Sequence, residues 1–90
     1  MNKILVIEDD AAILRGLVDN LTFEGHEVFT ATTGETGYEL EKTRKPDLII
    51  LDLMLPRMSG LELCRRLRDE GIQTPILMLT ARSEESDRVI

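Results

Sequence analysis

A single cysteine, Cys64, cannot form an internal disulfide, so the chain is read as a cytoplasmic protein with no covalent staple. Aromatic residues are scarce, with no tryptophan, one tyrosine and two phenylalanines, which leaves Leu, Ile, Val and Met to fill any core. No apolar run approaches the ~18–20 residues of a membrane span. The N-terminus also lacks the basic, apolar and small-residue layout of a secretion signal, so no membrane role is expected. Positive charge is in deficit: 11 Lys and Arg stand against 17 Asp and Glu, a net charge of −6. Such a surface is poorly suited to a phosphate backbone, and direct nucleic-acid binding is not expected. There is no Gly-rich phosphate loop, no Cys/His metal spacing and no Ser/His pairing. Repeats, low-complexity stretches and Gly/Ser linkers are absent, and 90 residues suit one small domain.

What is present is an alternation of short aliphatic runs with longer amphipathic segments. Ile4–Ile7 is a continuous apolar run that stops at Glu8, Asp9 and Asp10. Leu14, Leu17, Val18 and Leu21 then recur at helical spacing, with Asp10 placed to cap that helix and Gly25 to end it. Val28–Ala31 reads as a second strand. Thr32-x-x-Glu35 fits a capping box opening a weaker helix to about Thr43, and Leu48–Leu51 is a third strand stopped by Asp52. Ser59-x-x-Glu62 is a second capping box, followed by Leu63, Cys64 and Leu67 on one helical stripe. Ile76–Leu79 is a fourth aliphatic run, and Ser83 is placed to cap a last helix reaching Ile90. Strands alternating with helices, and apolar throughout, predict a parallel sheet covered on both faces. The expected fold is a doubly wound α/β sheet of four strands in the order 2-1-3-4, flavodoxin-like and incomplete.

In such sheets the reactive crevice lies beyond the carboxyl ends of the strands. There stand Glu8-Asp9-Asp10 after strand one, Asp52 after strand three and Thr80 after strand four. With neighbouring strands ~4.8 Å apart, Asp52 lies between Asp9 and Thr80. Carboxylates within ~5 Å repel by ~3 kcal/mol per pair at an effective dielectric of 20, and a hard divalent cation such as Mg²⁺ relieves this. Met54, two residues past Asp52, is placed to offer its backbone carbonyl to the same ion. Other residues have plainer readings: His26 as a surface turn residue, Cys64 as core, Met54, Met58 and Met78 mostly as packing, and Arg65, Arg66 and Arg68 as a solvated face.

Three ordered segments carry a family likeness: Ile4-Leu5-Val6-Ile7-Glu8-Asp9-Asp10, Leu51-Asp52-Leu53-Met54-Leu55-Pro56-Arg57-Met58-Ser59-Gly60, and Leu79-Thr80-Ala81-Arg82. Together they resemble the receiver (CheY-like) domain of two-component response regulators, in the branch whose members carry a C-terminal winged-helix DNA-binding domain. The resemblance implies that Asp52 is the phosphoacceptor, taking a phosphoryl group from a sensor histidine kinase. It implies Mg²⁺ as cofactor, bound by Asp9 and Asp52 directly, by Glu8 through water and by the Met54 carbonyl. Thr80 would be the switch hydroxyl and Ala81 would keep the mouth of the site open.

Receivers continue with a fifth strand, a lysine after it that pairs with the phosphoryl oxygens, and a fifth helix. The sequence stops before them, so residues 1–90 are read as a truncated receiver domain without an output domain. Phosphotransfer is accordingly expected to be impaired. Ile76–Leu79 would then be an uncovered edge, and self-association through it, as a dimer or larger, is expected. An alternative reading is a structural receiver fragment completed by a second copy or by another chain. An aspartyl-nucleophile phosphatase is disfavoured, because such enzymes usually carry a second Asp where Met54 stands.

Overall fold

The computed structural model describes residues 2–79 and 87–89. In chain order the elements are β1 (Lys3–Ile7), α1 (Ala11–Phe23), β2 (Glu27–Ala31), α2 (Gly34–Arg44), β3 (Leu48–Asp52), α3 (Gly60–Asp69), β4 (Ile76–Leu79) and β5 (Asp87–Val89). They form one sheet in the order β2-β1-β3-β4-β5. The first four strands are parallel, as the alternation of aliphatic runs predicts, and they lie in the 2-1-3-4 order that the receiver resemblance implies. No helix among the described residues is long and apolar enough to cross a membrane.

Alternate side chains of each strand go to opposite faces, and each face has its own apolar cluster. Leu5, Ile7, Ile49, Leu51, Ile76 and Met78 meet Leu63, Cys64 and Leu67 of α3 on one side, with Tyr38 and Leu40 of α2 at the margin. On the other side Ile4, Val6 and Ile50 meet Leu14, Leu17 and Leu21 of α1. Leu14, Leu17 and Leu21 are only half-buried, and no residue of α1 is fully buried. Cys64 is core, as expected, at 5% exposure.

α2 is held as much by polar contacts as by apolar ones. The Tyr38 hydroxyl donates to the Glu70 carboxylate at 2.7 Å, and the Arg66 guanidinium stacks 3.9 Å from the Tyr38 ring. Lys42 Nζ lies 3.3 Å from Glu70 Oε1, and the buried Glu41 accepts from the Thr74 hydroxyl at 2.7 Å. The Tyr38 hydrogen bond, seconded by Lys42 and Arg66, holds the Glu70 carboxyl below the usual range. Arg66 is thus an α2–α3 contact and not simply a solvated residue.

Two local expectations change. The cap of α2 is Thr33, whose hydroxyl accepts from Thr36 N–H at 3.1 Å, so the box expected at Thr32 and Glu35 does not form. Thr32 is exposed whereas Gly34 is buried, so packing of Gly34 sets where the helix begins. At the other end, the expected cap Ser83 lies outside the described residues, and residues 87–89 run as a strand rather than as part of the expected helix. They pair antiparallel with β4, Leu77 opposite Val89 and Leu79 opposite Asp87. The open backbone groups of an aliphatic edge are satisfied by the chain itself. The bare edge that motivated self-association is therefore covered in the structure.

Candidate functional site

The carboxyl ends of β1 and β3 are level, because Ile7 pairs with Leu51 and Asp52 with Leu79. Glu8 therefore follows β1 beside Asp52. Its own N–H donates to Ala31 O at 2.9 Å, which prolongs the β1–β2 ladder by one residue and fixes the turn that follows. One Glu8 oxygen accepts from Asp10 N–H at 3.0 Å. Asp10 Oδ1 in turn accepts from Ala12 and Ile13 N–H at 2.9 and 3.0 Å, the expected N-cap of α1. Asp52 Oδ1 accepts from Met54 N–H at 3.2 Å.

These turns bring Glu8, Asp9 and Asp52 together, with one carboxylate oxygen from each lying within 4.8 Å of the others. Glu8 and Asp52 are 4% and 6% exposed, whereas Asp9 is open to solvent. Burial is the main reason the Glu8 carboxyl is pushed up to about 7 from 4.5. The Asp10 N–H opposes that rise, while the Asp52 charge, a Glu8–Asp52 hydrogen bond and the Asp9 charge add to it. Neither ion pair found among the described residues, Lys42–Glu70 or Arg66–Glu70, reaches this cluster. Three convergent oxygens, two of them buried, suit a hard divalent ion that takes oxygen ligands.

The sequence-based ligand set is thus brought together for Glu8, Asp9 and Asp52. Met54 is tied to Asp52 through its N–H and is 62% exposed, so it is not packing as expected; Met78 is, at 2% exposure. Thr80 and Ala81, the expected switch and mouth residues, lie outside the described residues. His26 is a half-buried turn residue whose Nδ1 accepts weakly from Asn2 N–H at 3.4 Å. The depth of Glu8 is what sequence reasoning missed. A run of three acids carries no sign of which one turns inward, although its place directly after a buried strand does.

A family model for the response regulator receiver domain matches residues 4–90. The chain belongs to that family. The receiver is 48% identical over 88 residues to the alkaline phosphatase synthesis transcriptional regulatory protein PhoP of Bacillus subtilis, covering 98% of this chain and 37% of that protein. It is 49% identical over 90 residues to the transcriptional regulatory protein AfsQ1 of Streptomyces coelicolor, covering 100% of this chain and 40% of that protein. The chain therefore spans about two fifths of the length of the curated relatives it matches. Among solved structures, the receiver domain of the Francisella response regulator 1452 aligns with a TM-score of 0.88 at 29% identity, covering 94% of this chain and 70% of that one. The BeF3-activated N-terminal receiver domain of Klebsiella pneumoniae RstA aligns with a TM-score of 0.85 at 36% identity, covering 93% and 71%.

Proposed function

We propose that this receiver takes a phosphoryl group onto Asp52 from a phosphohistidine of a sensor histidine kinase, as the input step of a transcription regulator. The observation that carries the reading is the convergence of Glu8, Asp9 and Asp52 at the carboxyl ends of β1 and β3. Asp52 supplies the nucleophile: a carboxylate oxygen forms a bond to phosphorus, and the P–N bond of the donor breaks. The electron pair returns to the imidazole nitrogen, which then takes a proton from solvent. A carboxylate is a weak nucleophile toward an anionic donor, so the surrounding negative charge has to be offset for the step to proceed.

Mg²⁺ fits that need, with Asp9 and Asp52 as direct ligands, Glu8 acting through water and the Met54 carbonyl completing the protein donors. When bound, it neutralises charge on the carboxylates and on the transferring phosphoryl oxygens. The chain's own contribution is to hold the acceptor still. Asp52 ends a strand with neighbours on both sides, and the Met54 N–H fixes one carboxylate oxygen. Thr80 and Ala81 keep their proposed roles as switch hydroxyl and small residue at the mouth.

Incubation with acetyl phosphate and Mg²⁺, followed by intact-mass measurement, tests the reading. Slow labelling, with at most one phosphoryl group per chain, is expected, sensitive to hydroxylamine and absent in Asp52→Asn. Labelling that persists in Asp52→Asn, or that is indifferent to chelation of the metal, would overturn it.

A further inference from the structure

We infer that Gly60 is a positioning residue for Asp52, an inference that rests on the proposed role of the acidic site. Gly60 begins α3, eight residues after Asp52, yet its Cα lies against the Asp52 peptide. A Cβ built there would fall on the Asp52 carbonyl oxygen, 3.0 Å from Leu53 Cα and 3.1 Å from the Asp52 carbonyl carbon. All three are backbone atoms, which have no rotamer to escape into.

The loop between them has little slack. Leu53 N–H donates to Leu79 O of β4 at 2.9 Å, and Leu53 O accepts from Gly60 N–H at 2.9 Å, so the loop is closed on itself. Within it, Met58 N–H donates to Pro56 O at 2.7 Å around Arg57, whose φ is +65°. That is a γ-turn with a left-handed centre, a strained form that persists only where its surroundings hold it. Beyond Gly60, α3 is fixed by the Ser59–Glu62 capping box and by the buried Leu63, Cys64 and Leu67. A side chain at residue 60 therefore presses a fixed helix against a fixed strand end. The part that gives way is the last peptide of β3.

Asp52 carries its carboxylate on that peptide, whereas Glu8 and Asp9 follow β1, and neither is among the atoms nearest a Cβ at residue 60. Displacement of Asp52 alone changes the spacing of the three oxygens that now lie within 4.8 Å. It also moves Met54, whose N–H is bonded to Asp52 Oδ1. The missing Cβ thus sets the geometry of the acceptor as well as the packing of the loop.

The test compares Mg²⁺ affinity with stability. Gly60→Ala should weaken Mg²⁺ binding roughly 10–100-fold, the range for residues that orient metal ligands. Thr74→Val, at the far end of the sheet, should lower the melting temperature and leave Mg²⁺ affinity unchanged. Equal affinities in Gly60→Ala and the unsubstituted chain would overturn the inference. Should Gly60→Ala not fold, hydrogen exchange of the unsubstituted chain decides: Mg²⁺ should slow the Met54 and Gly60 amides beyond the slowing seen at Leu67. Uniform slowing at all three overturns the positioning role. Absence of any Mg²⁺ binding by the unsubstituted chain would instead refute the functional reading, and this inference with it.

Discussion

Glu8 turns the acidic site into a measurable pH dependence of stability. Its carboxyl is raised from 4.5 to about 7, with burial as the largest cause. Between those values the folded chain holds a proton that the unfolded chain releases, so stability falls as pH rises. The stabilising contribution is complete below 4.5 and lost as pH passes about 7. At ~1.4 kcal/mol per pH unit the rise is worth at most ~3 kcal/mol, and screening through the solvent-open side near Asp9 reduces this to ~1–2 kcal/mol. For a domain of this size that is a fall in Tm of roughly 5–10 °C. Thermal melts from pH 5 to 8.5 in the presence of a chelator read it directly. A His26→Gln background removes the chain's single histidine from the comparison. Glu8→Gln should flatten the curve, and millimolar Mg²⁺ should restore Tm at pH 8.5 by binding the folded state alone. A pH slope that survives Glu8→Gln would refute the reasoning, because the titrating group would then lie elsewhere.

Asp52→Asn should raise the metal-free Tm by removing a charge from the acidic cluster, yet lose most of the Mg²⁺-induced rise. Asp9→Asn should lose that rise as well, both read by thermal melts with and without the metal. Thr74→Val leaves the buried Glu41 carboxylate without its hydroxyl donor and should cost ~1–3 kcal/mol by urea denaturation, with Glu41→Gln costing less. Asp10→Ala removes the acceptor of the Ala12 and Ile13 amides and should cost ~1 kcal/mol, while Asp10→Asn should be close to neutral.

The parallel sheet was legible because burial on both faces leaves β1, β3 and β4 no polar residue until their ends. The same rule located the site, since Glu8 and Asp52 are where those runs stop. What was not legible depended on tertiary contact. Two adjacent threonines offer two caps, and only the buried place of Gly34 selects Thr33. Ser83 suited the cap of a last helix, but an aliphatic strand beside residues 87–89 offers backbone partners that no window of local sequence reveals. Met54 and Met78 look alike as letters, and only the loop's outward turn after Asp52 separates an exposed thioether from a buried one. Gly60 was visible as part of a motif; its contact with the Asp52 carbonyl was not.

The two faces of the sheet are unequally cemented. α3 plants Leu63, Cys64 and Leu67 in the larger cluster, whereas α1 contributes no fully buried side chain to the smaller one. Local opening follows buried contact, so α1 is expected to exchange its amides before α3 does. Yet α1 starts at Asp10, whose amide is bonded to Glu8 and whose carboxylate caps the helix. This lightly anchored helix is thus moored at the acidic cluster. Whatever occupies that cluster also tightens the mooring, and charge chemistry at one end of the sheet is felt as cooperativity along 13 residues of helix.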